Sequence, residues 1–122
     1  NGVAVAPDGS VYVAGTSNNR IQKFTSEGVF VSQWGTEGQD DGQFFRPRGV
    51  AVALDGSVYV ADEGNHRIQK FTSEGVFVSK WGTYGSGDGE FDYPSGVAVA
   101  SDGSVYVADT NNYRIQRFAP GP

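Results

Sequence analysis

His66 is the only histidine of this chain and the first candidate for a catalytic or metal-binding role. A catalytic zinc ion takes about three protein ligands, and the chain has no cysteine to supply a thiolate. No Ser–His–Asp arrangement is indicated around this single histidine, and no cysteine nucleophile exists. We therefore predict that the protein is not an enzyme and has no catalytic residue, metal ligand or cofactor. His66 is interpreted as a residue of a surface loop.

Carboxylates in two glycine-rich segments, GQDDGQ and GSGDGE, form a second set: Asp40, Asp41, Asp88 and Glu90. Calcium prefers such oxygen ligands, but neither segment has the length or the final Glu of an EF-hand loop. Solvated acidic loops are the favoured interpretation.

A third set consists of an Asp and an Arg five residues apart, as in Asp62 with Arg67 and Asp109 with Arg114. A catalytic pair would be expected once, whereas this pair recurs. We predict a structural role in which the carboxylate accepts loop N–H groups and faces the arginine. Gly15 stands where a third such Asp would be.

These residues belong to a repeat. GVAVAPDGSVYVAG at 2–15 returns after 47 residues and again after another 47, and residues 2–48 match 49–95 at 34 of 47 positions. A fixed period of this length indicates a repeat architecture. The predicted strands are a (2–6, 49–53, 96–100), b (10–14, 57–61, 104–108), c (20–24, 67–71, 114–118) and d (29–34, 76–81). The Asp-Gly pairs between strands a and b, such as Asp8-Gly9, are expected to supply the positive φ angles of tight hairpins.

Strands a and b are apolar almost throughout, which indicates burial on both faces. A four-stranded sheet packed between two similar sheets meets that requirement, and the sequence therefore predicts the blades of an all-β propeller. The recurring aromatic residues at the blade boundaries are expected to pack between blades: Trp34, Trp81, Phe44 and Phe91.

Most differences between the first two copies fall in the b–c loops (15–19, 62–66, 109–113) and the d–a connections (35–48, 82–95). Strand direction places these segments on one face of the propeller. Binding residues tend to lie in loops on a rigid frame, although drift in unconstrained loops would look the same. The candidate binding face comprises Asn19, Arg46, Arg48, Glu63, His66, Tyr93 and Tyr113.

The stretch PSGVAVASDGSVYVADTNNYRIQRF at 94–118, preceded by WGTYGSGDGEFDYP, resembles the NHL repeat, and the likeness covers essentially the whole chain. The resemblance implies propellers that are most often six-bladed. It also implies a choice of functions, because the family includes RNA- or protein-binding modules, bacterial sensor domains and a metal-dependent peptide-amidating lyase.

The chain, residues 1–122, is interpreted as half of a propeller. Blade 1 spans 2–34, blade 2 spans 49–81, and blade 3, without its outer strand, spans 96–118. Closed propellers have about 4–8 blades. We therefore expect two copies to close a six-bladed ring, and the rival expectation places the missing blades upstream of Asn1.

Function is expected to be a non-catalytic scaffold or binding module that assembles with itself and takes a protein or peptide ligand on the loop face. A net charge of −5 disfavours nucleic acid and an anionic membrane surface as partners. The alternatives are a metal-dependent enzyme resembling the lyase branch, an RNA-binding module using Arg46 and Arg48, and a recently amplified or engineered repeat without an evolved ligand. The sequence assigns no compartment.

Overall fold

The computed structural model describes residues 2–120, so that Asn1, Gly121 and Pro122 lie outside the described residues. The described residues form eleven strands: β1 Val3–Val5, β2 Val11–Gly15, β3 Arg20–Phe24, β4 Phe30–Trp34, β5 Pro47–Val52, β6 Val58–Asp62, β7 Arg67–Phe71, β8 Phe77–Trp81, β9 Pro94–Val99, β10 Val105–Asp109 and β11 Arg114–Phe118. Single turns of 3-10 helix follow β6 at Glu63–Asn65 and β10 at Thr110–Asn112. No helix within 2–120 is both long enough and apolar enough to cross a membrane.

The strands form three antiparallel sheets in which neighbours along the chain are neighbours in space. Blade 1 contains β1–β4, blade 2 contains β5–β8, and blade 3 contains β9–β11. This up-and-down order is that of propeller blades. The prediction of two four-stranded blades and a three-stranded third is confirmed for the described residues.

The hairpins between the first two strands of each blade are closed by three residues rather than two. In blade 1 the Gly9 N–H donates to Ala6 O at 2.9 Å, and the Ala6 N–H donates to Ser10 O at 2.8 Å. Only the glycine of each Asp-Gly pair has a positive φ, which is 92° at Gly9. The expectation that both residues of the pair would do so was wrong. Asp8 instead accepts a hydrogen bond from the Ser10 N–H at 2.9 Å.

Blades 2 and 3 begin two residues earlier than the sequence predicted. Pro47 pairs with Asp62, and Pro94 pairs with Asp109, each across an irregularity in the register. Proline is tolerated at the first residue of a strand because its missing N–H is not needed there. The predicted starts at 49 and 96 therefore placed these prolines wrongly in the connections.

The hydrophobic core lies between the sheets. Phe71 is fully buried in the junction between blades 1 and 2, with its ring centroid 5.5 Å from that of Trp34 and 5.6 Å from that of Phe44. The next junction repeats the arrangement around Phe118, which contacts Trp81 at 5.4 Å and Phe91 at 5.8 Å. The recurring Trp and Phe residues therefore pack between blades, as predicted. All five residues of the central strand β6 are buried.

The outer flanks of blades 1 and 3 leave uncovered positions whose equivalents are buried in the junctions between blades. Val3 in β1 is 65% exposed, whereas its equivalent in β5, Val50, is 7% exposed. Ile115 in β11 is 66% exposed, whereas its equivalents Ile21 and Ile68 are fully buried. Each end of the described arc is thus an apolar half of a junction.

Candidate functional site

The segments that differ between the copies lie together on one face, where each connection contacts the loop of the blade that follows it. We name residues 35–46 the first connection and residues 82–93 the second connection. The first connection hydrogen-bonds to the 62–66 loop of blade 2, where the Gly64 N–H donates to Phe45 O at 2.8 Å. The second hydrogen-bonds to the 109–113 loop of blade 3, where the Asn111 N–H donates to Asp92 O at 3.0 Å. We call the two connections and the three loops at 15–19, 62–66 and 109–113 the variable face.

Blade 2 holds the first connection with four polar side chains, which we call the blade 2 socket: Asp62, Asn65, Arg67 and Gln69. Their partners in the connection are main-chain atoms, at 2.7–3.0 Å. The accepting carbonyls are those of Gly38, Gln39, Asp40 and Gln43, and the donating N–H groups are those of Gly42 and Phe45. The four socket side chains therefore bind the main chain of the connection and not its side chains. Phe44 is the side chain of the connection that is fully buried beside it.

Asp62 organises this socket from a fully buried position. Its carboxylate accepts hydrogen bonds from Arg67 Nε at 2.8 Å, Asn65 Nδ2 at 3.0 Å and Gln69 Nε2 at 3.2 Å, besides the Phe45 N–H at 2.8 Å. The Arg67 side chain is 8% exposed, so the two opposite charges neutralise each other away from water. The structural role predicted for the Asp–Arg pair agrees with these contacts.

Blade 3 binds the second connection through the equivalent residues, which form the blade 3 socket: Asp109, Asn112, Arg114 and Gln116. The same main-chain positions are contacted, now at Gly85, Ser86, Gly87, Gly89, Glu90 and Asp92. Arg114 lies on the edge strand β11, and its side chain is 29% exposed.

Blade 1 carries the same socket residues without the carboxylate, and the described residues include no connection before it. Asn18, Arg20 and Gln22 are present, but Gly15 replaces the Asp. In the amide orientation that satisfies its neighbours, the Gln22 oxygen accepts from Arg20 Nη2 at 2.8 Å and Nε at 3.0 Å. The amide oxygen thus takes the place of the missing carboxylate. A cavity of about 420 Å³ adjoins these groups and is lined by Val13, Ala14, Gly15, Thr16, Ser17, Asn18, Gln22 and Phe24.

Five of the seven residues predicted for the binding face share an unusual backbone conformation. They are the non-glycine residues with positive φ, between 53° and 62°, within the described chain: Asn19, Arg46, His66, Tyr93 and Tyr113. For residues with a Cβ this left-handed region costs about 1–2 kcal/mol each. Three of these residues, Asn19, His66 and Tyr113, end the b–c loops, so the backbone is strained at equivalent positions of the three blades.

Hydrogen bonds join four of these residues in two pairs. Asn19 Oδ1 accepts from the Arg46 N–H at 2.8 Å, and His66 Nδ1 accepts from the Tyr93 N–H at 3.0 Å. Because Nδ1 accepts, neutral His66 carries its proton on Nε2. His66 thus tethers the second connection to the loop of blade 2.

The arginines of the predicted face lie beside one carboxylate. Glu63 is nearly buried, with its side chain 8% exposed, and lies 3.7 Å from Arg46 Nε and 3.5 Å from Arg48 Nη1. Both arginine side chains are about half exposed. The single carboxylate reduces the positive potential that these two arginines could offer to a phosphate.

His66 also belongs to an exposed aromatic cluster. Its ring centroid lies 4.9 Å from that of Tyr84 and 4.7 Å from that of Tyr93, both in edge-on contact. Tyr84 is 68% exposed and Tyr93 is 42% exposed. A cleft of about 580 Å³ beside Tyr84 is lined in part by Lys80 and Trp81. The sequence prediction omitted Tyr84, although the change from Glu37 to Tyr84 between copies was a usable signal.

The structure thus brings the predicted residues together in part. Arg46, Arg48 and Glu63 form one group, and His66 and Tyr93 form another with Tyr84. Tyr113 is 95% exposed on blade 3, and within 2–120 its side chain makes no ring contact.

Comparison with known families decides the lineage of the three blades. The profile of the NHL repeat matches residues 1–24, 44–71 and 91–118, which together make up more than half of the chain. The chain belongs to the NHL-repeat family. Each NHL match covers the first three strands of a blade, and the second and third matches also include the end of the connection that precedes the blade, so that the socket residues lie within the NHL repeats. The comparison with curated proteins gave no match.

Solved structures similar to these NHL repeats include proteins with different activities. The chain aligns over 98% of its length with 40% of a streptogramin B lyase, at 20% identity and a TM-score of 0.68. It aligns over 94% of its length with 36% of an auxiliary nutrient-binding protein from Bacteroides thetaiotaomicron, at 17% identity and a TM-score of 0.73. Virginiamycin B lyase from Staphylococcus aureus, solved with quinupristin, gives 19% identity and a TM-score of 0.66, with 96% of this chain and 40% of that chain covered. These likenesses show the fold alone, and the chain spans 40% or less of each protein.

Two of the acidic residues of the NHL connections, Asp41 and Glu90, have separate local partners. Asp41 Oδ1 lies 2.6 Å from Lys80 Nζ, and Glu90 Oε1 accepts from the Gly87 N–H at 2.8 Å. Within residues 2–120 no three His, Asp or Glu side chains converge as a metal site requires.

The equivalent carboxylates of the two occupied NHL sockets have pKa values shifted in opposite directions. Burial raises the pKa of Asp62 above the ordinary value of 3.8, against the hydrogen bonds and the arginine that lower it. Burial also raises the pKa of Asp109, but the hydrogen bonds from the Asp92 N–H and the socket side chains outweigh it and leave that pKa below 3.8. The stability contributed by ionised Asp109 is therefore present above pH 3.8 and lost as the pH falls through its lower pKa. The cost of ionising Asp62 is instead relieved as the pH falls through its raised pKa.

We expect carboxyl NMR titrations of the folded protein to show this division. The Asp62 midpoint should lie above 3.8 and the Asp109 midpoint below it, because both carboxylates are buried but the surroundings of Asp109 are more open, with the Arg114 side chain 29% exposed against 8% for Arg67. Asp55, an Asp of a β-hairpin, serves as a reference, since the hydrogen bonds from Ser57 lower its pKa. Coincident midpoints for Asp62 and Asp109 would contradict the assignment.

Proposed function

We propose that this NHL-repeat chain is a non-catalytic scaffold that joins a second copy head to tail into a closed six-bladed ring, and that it binds a protein or peptide on its variable face. The observation that carries the proposal is the pair of uncovered flanks on blades 1 and 3. They are the two complementary halves of a junction that the chain already builds twice.

The two halves correspond in the first three strands of their blades, since no outer strand of blade 3 is described. In the first junction Tyr12 of blade 1 is 1% exposed, and its hydroxyl donates to Ser73 O of blade 2 at 3.0 Å. Tyr106 of blade 3 is the equivalent tyrosine, and it is 38% exposed. Its partner across a ring seam would be the main-chain oxygen of Ser26 in the second copy, which is the equivalent of Ser73. Closure would also cover Val3, Val5 and Ile115, and burial of apolar surface of this kind favours association.

The number of blades favours two copies. One copy supplies three blades, two supply six and three supply nine, whereas closed propellers commonly have about 4–8. A head-to-tail contact makes a closed ring only when its rotation closes, and a half-disc repeated twice meets this condition.

The variable face is where the proposed ligand would bind. Its exposed aromatic cluster of His66, Tyr84 and Tyr93 borders a cleft that also contains Lys80. Tyrosines that present both ring and hydroxyl are frequent in protein-binding surfaces. The ion-paired Arg46 and Arg48 favour a protein or peptide over a nucleic acid.

The backbone spacing in the junctions provides a test of the ring. A Cβ on Gly49 would lie 2.9 Å from Gly96 Cα and 2.9 Å from Ser95 O, so this strand approach requires glycine. A Cβ on Gly96 would meet only Ala108 Cβ within the chain, at 3.5 Å. In the ring, Gly96 would face Gly2 of the second copy as Gly49 faces Gly96. A methyl group on Gly96 would then obstruct the contact between the two copies without disturbing the packing within one copy.

We therefore expect light scattering to give the wild-type chain twice its mass of 13.0 kDa and to give Gly96→Ala the single-chain mass. The circular dichroism spectrum of Gly96→Ala should keep its β-sheet signal, because no contact within the chain is disturbed. Ser101→Ala, on the exposed β9–β10 turn, is the control and should remain dimeric. A wild-type chain that is monomeric at every concentration, or a Gly96→Ala variant that still dimerises, would refute ring closure.

A further inference from the structure

The cleft of about 580 Å³ on blade 2 combines a lysine with exposed aromatic rings. We propose that it binds an acidic side chain of a peptide, with the carboxylate held by Lys80 and His66 and a neighbouring apolar side chain packed on Tyr84. This inference rests on the proposed binding of a protein or peptide to the variable face, and it names the class of peptide.

The cleft is built within one blade and the connections on either side of it. Its walls are the 62–66 loop, the end of β8, the start of the second connection, and Gln39 of the first connection. All of these segments belong to the described residues. The volume lies within the range of about 300–1,000 Å³ that is typical of ligand sites. Blade 2 lies between blades 1 and 3, so ring closure would leave this cleft unchanged.

Three side chains of the cleft can donate hydrogen bonds that the described chain does not use. Neutral His66 accepts the Tyr93 N–H at Nδ1, and its Nε2–H has no acceptor among the described residues. The Tyr84 hydroxyl makes no hydrogen bond to another described residue, and Tyr84 is 68% exposed. Lys80 has three N–H donors, and Asp41 Oδ1 lies 2.6 Å from its Nζ. These groups suit a ligand that supplies acceptor oxygens.

Two differences between the blades make the cleft of blade 2 more positive. Lys80 and Tyr84 stand where blade 1 has Gln33 and Glu37, so the summed charge of the two positions changes from −1 to +1. Arg67 also lines the cleft, but it is already neutralised within the blade 2 socket. Lys80 is therefore the cation that a ligand can reach, and its single charge matches a single carboxylate.

The ion pair of Lys80 with Asp41 does not block this role. The two side chains are 45% and 53% exposed, and ion pairs of that exposure are weak. A ligand carboxylate would share the ammonium and would also accept from His66 Nε2. Hydrogen bonds to a charged acceptor are stronger than those between neutral groups. A nucleic acid would instead bring its phosphates against the acidic residues of the two connections, which repel them.

The exposed ring of Tyr84 defines the second part of the ligand. Its centroid lies 4.9 Å from that of His66 in an edge-on contact, which keeps the ring beside the carboxylate site. Aromatic side chains are enriched in protein-binding surfaces, where they pack against apolar groups. A peptide with phenylalanine next to an acidic residue satisfies both contacts.

The test titrates isotopically labelled protein with three matched peptides: acetyl-Gly-Phe-Glu-Gly-amide and its analogues with Gln or Lys in place of Glu. We expect saturable NMR shifts at His66, Lys80 and Tyr84 with the Glu peptide. Binding should be about tenfold weaker with the Gln peptide and should not saturate with the Lys peptide. The wild-type chain and Gly96→Ala should give the same result, because the cleft lies away from the seam.

The blade 1 residues supply matched substitutions, because the repeat already carries them at these positions. Lys80→Gln should weaken binding of the Glu peptide about tenfold, and Tyr84→Glu should prevent saturation by placing a second carboxylate in the cleft. Asp41→Asn should tighten binding about threefold, because it removes the competing partner of Lys80. Lys23→Gln, which removes the same charge from blade 1, is the control and should leave the affinity unchanged.

The outcomes separate this inference from the proposals on which it rests. Binding that is equal for the three peptides, or shifts that lie outside the cleft, would overturn the acidic ligand and leave peptide binding in place. The absence of saturable binding by all three peptides would overturn both. Neither result bears on ring closure, which is judged by the mass in solution.

Discussion

Replacing Arg67 with alanine is expected to lower the free energy of unfolding by about 3–5 kcal/mol, which is the cost typical of breaking a buried ion pair from one side. The substitution removes the arginine partner of fully buried Asp62 and three hydrogen bonds to main-chain carbonyls of the first connection, of which the Gln39 carbonyl has no other donor among the described residues. Urea denaturation followed by circular dichroism measures the loss. It should be carried out at one protein concentration, because the proposed assembly would make stability depend on concentration.

Arg20→Ala is the matched control, because Arg20 occupies the same position of blade 1 without a docked connection. Its described partner is the Gln22 amide, and it neutralises no buried carboxylate. We expect a loss below about 1 kcal/mol. Equal losses for Arg67→Ala and Arg20→Ala would mean that the sockets add nothing to the stability of the chain.

Phe71→Ala is expected to cost about 3–5 kcal/mol, the range for removing a buried phenylalanine from a core. Phe71 is fully buried and contacts the rings of Trp34, Phe44 and Phe77. Its removal would open a cavity at the point where blade 1, the first connection and blade 2 meet. The same denaturation experiment measures this effect.

The control for this second substitution is Phe24→Ala, at the equivalent position of blade 1. Phe24 is half-buried, and its one aromatic contact among the described residues is Phe30, at 6.0 Å. Less apolar area is lost, so the cost should be roughly half or less of that for Phe71→Ala. If Phe24→Ala proved as costly as Phe71→Ala, burial between blades would not explain the stability of the arc.

Much of the fold was predictable because the repeat makes local signals agree. Strands that are apolar almost throughout, the Asp-Gly turns and the fixed period all indicate the same four-stranded unit, and the strand centres follow from them. The ends of the strands were harder to predict from the sequence. Pro47 and Pro94 were taken as parts of the connections, because a sequence does not show that a strand can begin at a residue lacking an N–H. The prediction of a positive φ at Asp8 was wrong, because the Asp8 carboxylate instead holds the turn by accepting a hydrogen bond from the Ser10 N–H.

The sequence predicted which residues belong to the candidate site better than it predicted the contacts between them. Variation between copies pointed to the residues that adopt left-handed backbone, since both features concentrate in the loops and connections. It could not show that one carboxylate, Glu63, serves two arginines, or that Tyr84 joins His66. The sockets were hidden for a further reason. Their partners are main-chain atoms, which every residue has, so side-chain identity carries little trace of the contact.

The sockets also set the order in which segments of the chain can fold during synthesis. Blades 2 and 3 each bind the connection that precedes them in the chain, so Arg67 follows its carbonyl partners by 24–28 residues. During synthesis at about 5–20 residues per second, a connection would wait about 1–6 s for the arginine that fixes it. Through that interval its apolar Phe44 has no enclosing partner. The connection after each blade would thus be fixed only when the next blade forms. Until then, the most recently synthesised connection would lack its enclosing partner.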